Sequence, residues 1–202
     1  MATTADEIKQ RIFNAALAEA EAPRVSNLRQ TGDTSLQACL DMFPSVFDTL
    51  MEQYDWGWAT ERVQLTKDTA EPIGDTWETQ FSLPEDFLRM LKVDTAGVTP
   101  WVIEGQKLLT KYDGKIVLVY VAEKDLTHTS AIFRRLCELR MGSRLALRLS
   151  KNRPLSMAIE QRILPVHLDA LRETTTGRQE PAPLTYKAPE MRTEPDHDPR
   201  RG

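Results

Sequence analysis

Between Ser35 and Tyr54 the sequence leaves little choice of structure. Leu36, Leu40, Phe43, Phe47, Leu50 and Tyr54 step by three or four, which puts six large apolar side chains on one face of a helix. About twenty residues at ~1.5 Å each make a rod of roughly 30 Å. Asp33, Thr34 and Ser35 are all suited to cap its start. Pro44 lies inside it, removes one backbone bond and is expected to kink the rod.

Three further helices are expected to share that apolar face. Residues 1–22 open on Thr4-x-x-Glu7, a capping-box spacing, followed by Ile8, Ile12, Ala15 and Ala16 at helical intervals. A polar loop runs from Pro23 to Gly32. Residues 130–150 carry Ile132, Leu136 and Leu139 with Phe133, Cys137, Met141, Leu145 and Leu149 beside them. A last helix starts after Asn152-Arg153, with Pro154 at its first position. It reaches about Thr175 and is expected to be interrupted by Pro165.

Between these helices the period changes. Trp56-Gly57-Trp58-Ala59 leads into an extended Arg62-Val63-Gln64-Leu65, Asp68 to Asp75 reads as loop, and Trp77 to Phe81 alternates as a strand does. Leu83-Pro84-Glu85-Asp86 is expected to turn and to carry a short helical piece before a strand over Leu88 to Val93. Glu104-Gly105 and Asp113-Gly114 separate Trp101-Val102-Ile103, Leu108-Leu109 and the run Ile116 to Val121. Asp-Gly between β-prone runs is a hairpin signal, because both residues tolerate positive φ. The unbroken apolar run suggests a strand buried on both faces. Trp56, Trp58, Trp77 and Trp101 are expected to share a core around this sheet.

The expected fold is therefore α+β and mainly helical: a helix bundle with an inserted small antiparallel β-meander and an extended C-terminal tail. Residues 1–55 and 126–175 would form the bundle and 56–125 the insert. Residues 176–202 hold five of the 12 prolines and few large apolar side chains, so on composition they should be disordered when unbound. Leu184, Tyr186 and Met191 are isolated anchors there that a partner could capture.

Composition narrows the class. With 202 residues, 41% hydrophobic and 28% charged, the chain is expected to be globular. No run approaches the ~18 to 20 apolar residues of a membrane span. The N-terminus lacks a charged-then-apolar leader, and the two cysteines cannot form a disulfide framework, so synthesis in a reducing cytoplasm is expected. The net charge of −4 is uneven: residues 1–100 hold 8 basic and 17 acidic side chains, a net −9, whereas 131–162 hold 8 basic and 2 acidic, a net +6. Arg140, Arg144 and Arg148 step by four and form a basic stripe that could face a neighbouring subunit or partner.

Catalytic patterns are sparse. His128, His167 and His197 have no second His or Cys at metal-ligand spacing, so neither a metal nor another cofactor is expected. The 9 glycines form no dinucleotide or phosphate loop. Cys137 lies on an apolar face and reads as core. Glu85 with Asp86, or Asp55 with Glu61, could serve as acid and base in a glycosidase, but among 30 carboxylates the pairing has little specificity. The arginine stripe could touch nucleic acid, although a pI near 5.5 argues against tight or sequence-specific binding.

The order of features resembles the head-to-tail adaptor family of short-tailed bacteriophages, also called tail tubular protein A, gatekeeper or tail accessory factor. The similarity runs from about Ile12 to Ala170. Ala15-Ala16-Leu17 and the loop from Pro23 to Leu28 look like the family's opening. The helix with Cys39 and Phe43-Pro44 follows, ending in Tyr54-Asp55-Trp56-Gly57-Trp58-Ala59 with Arg62 and Leu65. Leu83-Pro84-Glu85-Asp86-Phe87-Leu88-Arg89-Met90-Leu91 is similar to its turn and strand. Ile103-Glu104-Gly105 with Leu108-Leu109-Thr110, then Val119-Tyr120-Val121, looks like its hairpin. Arg144-Leu145-Ala146-Leu147-Arg148-Leu149-Ser150 resembles the helix before its final break.

That resemblance implies a structural protein of the virion tail rather than an enzyme. Twelve copies would close a homododecameric ring between the portal protein and the tail nozzle, a tail tubular protein B-like partner. The ring could carry tail fibres at its rim, and DNA would pass only non-specifically through its channel. The C-terminal segment with Leu184, Tyr186 and Met191 would dock on the portal. Other readings are a head-completion or stopper protein, a virion-associated cell-wall hydrolase, or a DNA-binding regulator using the arginine stripe.

Overall fold

The structure, a computed structural model, describes residues 4–94 and 99–176. Its four helices begin where the sequence supplies a cap. Helix α1, Ala5–Glu19, starts at a complete capping box: Glu7 N–H donates to the Thr4 hydroxyl at 3.2 Å, and Thr4 N–H to the Glu7 carboxylate at 3.0 Å. Helix α2, Thr34–Gln53, is capped by Asp33, whose carboxylate accepts the N–H groups of Ser35 and Leu36. Helix α3, Ala131–Arg148, is capped by Ser130. Helix α4, Arg153–Thr176, has Leu155 N–H donating to the Asn152 side chain.

Two boundaries differ from expectation. Helix α1 ends at Glu19, because Glu21 adopts φ 53° and turns the chain away. Helix α4 runs unbroken through Pro165. Pro165 and Gln161, whose carbonyl loses its bond, are both exposed, so that carbonyl is on the solvent side of the helix.

Helix α3 lies at the centre of the bundle and buries Phe133, Leu136, Cys137, Leu139, Met141, Leu145 and Ala146. Phe133 is the hub of an aromatic chain, its ring 5.2 Å from Phe47, 5.3 Å from Trp56 and 5.2 Å from Trp58. The tryptophans therefore do not share one sheet core. A short 3₁₀ turn, Gly57–Ala59, swings Trp56 and Trp58 beneath α3, where the Trp56 indole N–H donates to the Leu50 carbonyl. Trp77 is half-buried and Trp101 is exposed.

Six strands fill the insert: β1 Thr60–Gln64, β2 Thr79–Ser82, β3 Phe87–Asp94, β4 Trp101–Glu104, β5 Lys107–Thr110 and β6 Val117–Ala122. They form two antiparallel three-stranded sheets, ordered β1-β6-β3 and β2-β5-β4. The fold class is α+β, as expected, but the insert is divided where one continuous meander was expected. The β4–β5 hairpin turns at Gly105, which takes φ 58°. Asp113-Gly114 closes no hairpin: β5 and β6 belong to different sheets, and Gly114 is outside the left-handed region. A Cβ there would lie 2.3 Å from the Tyr112 ring, so a larger residue needs that half-buried side chain to shift. The Thr79 hydroxyl donates to the carbonyls of Thr110 and Tyr112 and holds the departing chain against β2. Leu83 to Asp86 makes a turn without the expected helical piece, closed by Phe87 N–H on the Pro84 carbonyl.

Strand β6 joins the two parts of the molecule. Leu118, Tyr120 and Ala122 pack with Leu65, Phe81, Leu108 and Ile116 between the sheets, whereas Val121 belongs to the helical core. Alternation along one strand thus serves two cores, as its apolar run suggested. Beyond α3's other face, α1 comes so near that a Cβ on Gly142 would lie 2.8 Å from the Glu19 Cβ and 3.2 Å from the Ala16 carbonyl oxygen. Alanine at an exposed helix position gains about 1 kcal/mol over glycine, but overpacking costs about 1–3 kcal/mol. Gly142→Ala should therefore lower the midpoint of urea unfolding despite its better helix propensity; a raised midpoint would show that the two helices are not in this contact.

Candidate interaction surface

Arg140, Arg144 and Arg148 run along the edge of α3 that borders α2. Arg148 pairs with Asp41 at 2.6 Å, and Arg140 donates to the Gln53 side chain at 2.7 Å. Helix α2 carries Asp41, Asp48 and Glu52 and no basic residue, so part of the charge asymmetry is neutralised between two helices of one chain. Arg144 is exposed and makes no ion pair among the described residues. Leu184, Tyr186 and Met191, the expected portal-docking side chains, lie outside the described residues, as does His197.

A second ionic joint was not anticipated. Glu19, at the end of α1, accepts hydrogen bonds from Arg135 of α3 at 2.9 Å and from both terminal nitrogens of Arg162 of α4 at 2.6 and 3.0 Å. Burial works against its charge, but the hydrogen bonds and charges of Arg162 and Arg135 prevail and hold its pKa below the ordinary 4.5. Its signal in the sequence was faint, because the three residues are far apart along the chain.

Three of the four carboxylates considered for acid–base chemistry are tied into structure. Asp55 pairs with Arg89 at 2.6 Å. Glu61 and Asp86 flank the Tyr120 hydroxyl, which donates to Asp86 at 3.0 Å, and both pair with Lys124. Burial, then the Asp86 carboxylate, pushes the Tyr120 phenol far above its usual range, and the Glu61 hydrogen bond raises Lys124. Glu85 is exposed beside them. Cys39 and Cys137 are both buried; burial pushes the Cys39 thiol up to about 12 and raises Cys137 further. Both are inert thiols at neutral pH. His167 meets the Tyr54 hydroxyl at the α2–α4 junction, and the His128 ring lies 3.0 Å from Asp125, the residue that caps its turn. Among the described residues no three His, Cys, Asp or Glu side chains gather as a metal site, and no helix is long and apolar enough to cross a membrane.

The most distinctive surface lies on α4. Its inner face packs Ile159 and Ala170, with Ile163 and Val166 partly buried, against the bundle. Its outer face exposes Met157 at 58%, Leu164 at 62%, Leu168 at 47% and Leu171 at 41%. These four are seven, four and three residues apart, so they form one stripe along the helix. An amphipathic helix on a globular surface ordinarily has a polar outer face; α4 is apolar on two sides. The signal was present in the sequence as leucines on both sides of the helix, but the expected break at Pro165 hid their continuity.

The Glu19 joint gives a pH dependence. A depressed folded pKa contributes stability that is full above the unfolded value of about 4.5 and is lost as pH falls through the folded value. Glu19→Gln should cost on the order of 1 kcal/mol at pH 7. In paired urea titrations the gap between variant and wild type should begin to narrow once the pH falls below about 4.5 and go on narrowing as it drops further. A gap that stays constant down to pH 3 would mean the carboxylate charge is not the source of the effect.

No protein-family model and no curated protein matches the chain.

Proposed function

We propose that the chain is a head-to-tail adaptor of a short-tailed bacteriophage, a structural protein that assembles as a ring between portal and tail nozzle. The observation that carries the reading is the stripe Met157, Leu164, Leu168 and Leu171: four large apolar side chains on a structured helix, open to solvent. Contiguous exposed apolar surface of this kind marks an interaction site. The ordered set of sequence passages that resemble the adaptor family, from Ala15 to Ser150, says which kind of interaction.

In this reading α4 and the segment after it make the docking element, and the two sheets lie toward neighbouring copies around the ring. A closed ring presents the same weak contact about twelve times, so individual docking need not be strong. DNA passes through the ring without base-specific contacts, and fibres at the rim are a further role that this geometry could accommodate. The protein would be made in the host cytoplasm and end in the virion tail.

The test is the mass of the purified chain alone and after mixing with the portal ring of its phage. A complex with about twelve copies per portal is expected. Leu164→Asp with Leu168→Asp, which replaces exposed side chains and should leave the melting temperature within a few degrees, is expected to abolish that complex. No complex for the wild type across salt and concentration would overturn the adaptor reading.

A further inference from the structure

Charge is sorted by side in the helical bundle. Helices α1 and α2 touch through Phe13 and Phe43, whose ring centroids are 5.5 Å apart. At about 100° per residue, Glu52 lies nine positions from Phe43 and so on the opposite face of α2. Asp48 lies two positions from both Val46 and Leu50, which are fully buried, and so also faces outward. Asp48 and Glu52 are exposed, and neither has an ion-pair partner among the described residues. They stand one turn apart, where like charges repel, and α2 holds no basic residue to relieve them.

The other side of the bundle is basic. Arg11 lies two positions from Phe13, about 200° around α1, and so points away from α2. It lines one shallow groove with Arg24 and another, between α1 and α3, with Arg134. Arg11 and Arg24 are exposed, Arg134 is half-buried, and none of the three makes an ion pair among the described residues. Glu7 and Glu138 also line these grooves, but Glu7 is held in the cap of α1 and Glu138 pairs with Arg135 at 3.0 Å. The unmatched charge here is therefore positive. Within one chain the two faces cannot meet, because α1 and α2 lie between them. Two copies bring them together.

We propose that a second copy of this chain docks its Arg11, Arg24 and Arg134 face on the Asp48 and Glu52 face of the first. The contact is head-to-tail. Each copy uses one face and leaves the other open, so copies add in sequence and close into a ring or extend as a filament according to the rotation between neighbours. Complementary charge fixes which faces meet and opposes the pairing of like faces. The contact joins bundle to bundle by itself; only its closure as a ring rests on the adaptor reading. Guanidinium and carboxylate tips make it over helices whose amides are already bonded, so it is read by mass and by salt rather than by amide exchange.

The full chain without a portal is the test. At about 100 μM and low salt, sedimentation should show a mass above the monomer that grows with concentration. It should return to the monomer in about 0.5 M salt, where charges are screened within a few ångströms. Asp48→Lys with Glu52→Lys, and separately Arg11→Glu with Arg24→Glu, replace exposed side chains. Each pair should weaken self-association about ten-fold or more, with helical circular dichroism unchanged. An equimolar mixture of the two variants should associate again, because each reversed face then meets one of opposite sign. Variants that had merely lost their fold would give no such recovery. A wild-type chain that stays monomeric at every salt and concentration, variants that associate like wild type, or a mixture without recovery would each overturn the contact. Loss of association in Leu164→Asp with Leu168→Asp would place the contact on α4 and overturn it as well. A portal complex formed by a chain that never self-associates would leave the adaptor reading standing, and self-association without a portal complex would do the reverse.

Discussion

The rest of the molecule is arranged around the enclosure of α3. Nine of its eighteen residues are buried, and three helices and an aromatic turn cover it from different sides. Gly142 removes the one Cβ that would keep α1 at a distance. Ser143 bridges to Ser156 and Glu160 of α4, and Arg140 and Arg148 fasten its edge to α2. Three of its five arginines, Arg135, Arg140 and Arg148, lie along the seams between its neighbours. Those seams supply the partners, namely Glu19, Gln53 and Asp41, so most of the basic charge of α3 is used in holding the bundle together.

Strand β6 extends this arrangement into the insert. It is the central strand of one sheet, it contributes to the core between the two sheets, and through Val121 it reaches the helical core. Glu61, Asp86, Tyr120 and Lys124 gather from β1, the turn before β3, β6 and the segment just after β6, where they bind the sheet's strands to one another. Each carboxylate there has a hydrogen-bonded or ionic partner.

What the sequence disclosed follows the range of the forces involved. The helices were readable because caps and apolar period are local: Thr4 with Glu7, Asp33, and the stripe from Leu36 to Tyr54 each act within a turn or along one face. The split of the insert was not, because strand partners are chosen non-locally. Asp113-Gly114 offers a hairpin, but Thr79 and the pairing of β5 with β2 take the chain elsewhere. The tryptophans were misplaced for the same reason, as nothing near Trp56 and Trp58 announces Phe133. Arg140 and Arg148 form the expected stripe by spacing, yet only the neighbouring α2 decides that they pair inward. The stripe of Met157, Leu164, Leu168 and Leu171 was missed because Pro165 was expected to end the regular helix that it does not interrupt.

Arg140 and Arg148 on the basic edge of α3 are engaged in internal contacts, whereas the apolar outer face of α4 is open to solvent, and under the adaptor proposal that face meets the portal. Amide hydrogen exchange of the chain, with and without the portal ring, separates these assignments most directly. The account predicts that α3 is the slowest-exchanging helix in both states and that protection gained on binding falls in residues 153–191. Gained protection centred on α2 and the Arg140, Arg144 and Arg148 edge, with α4 unchanged, would contradict it.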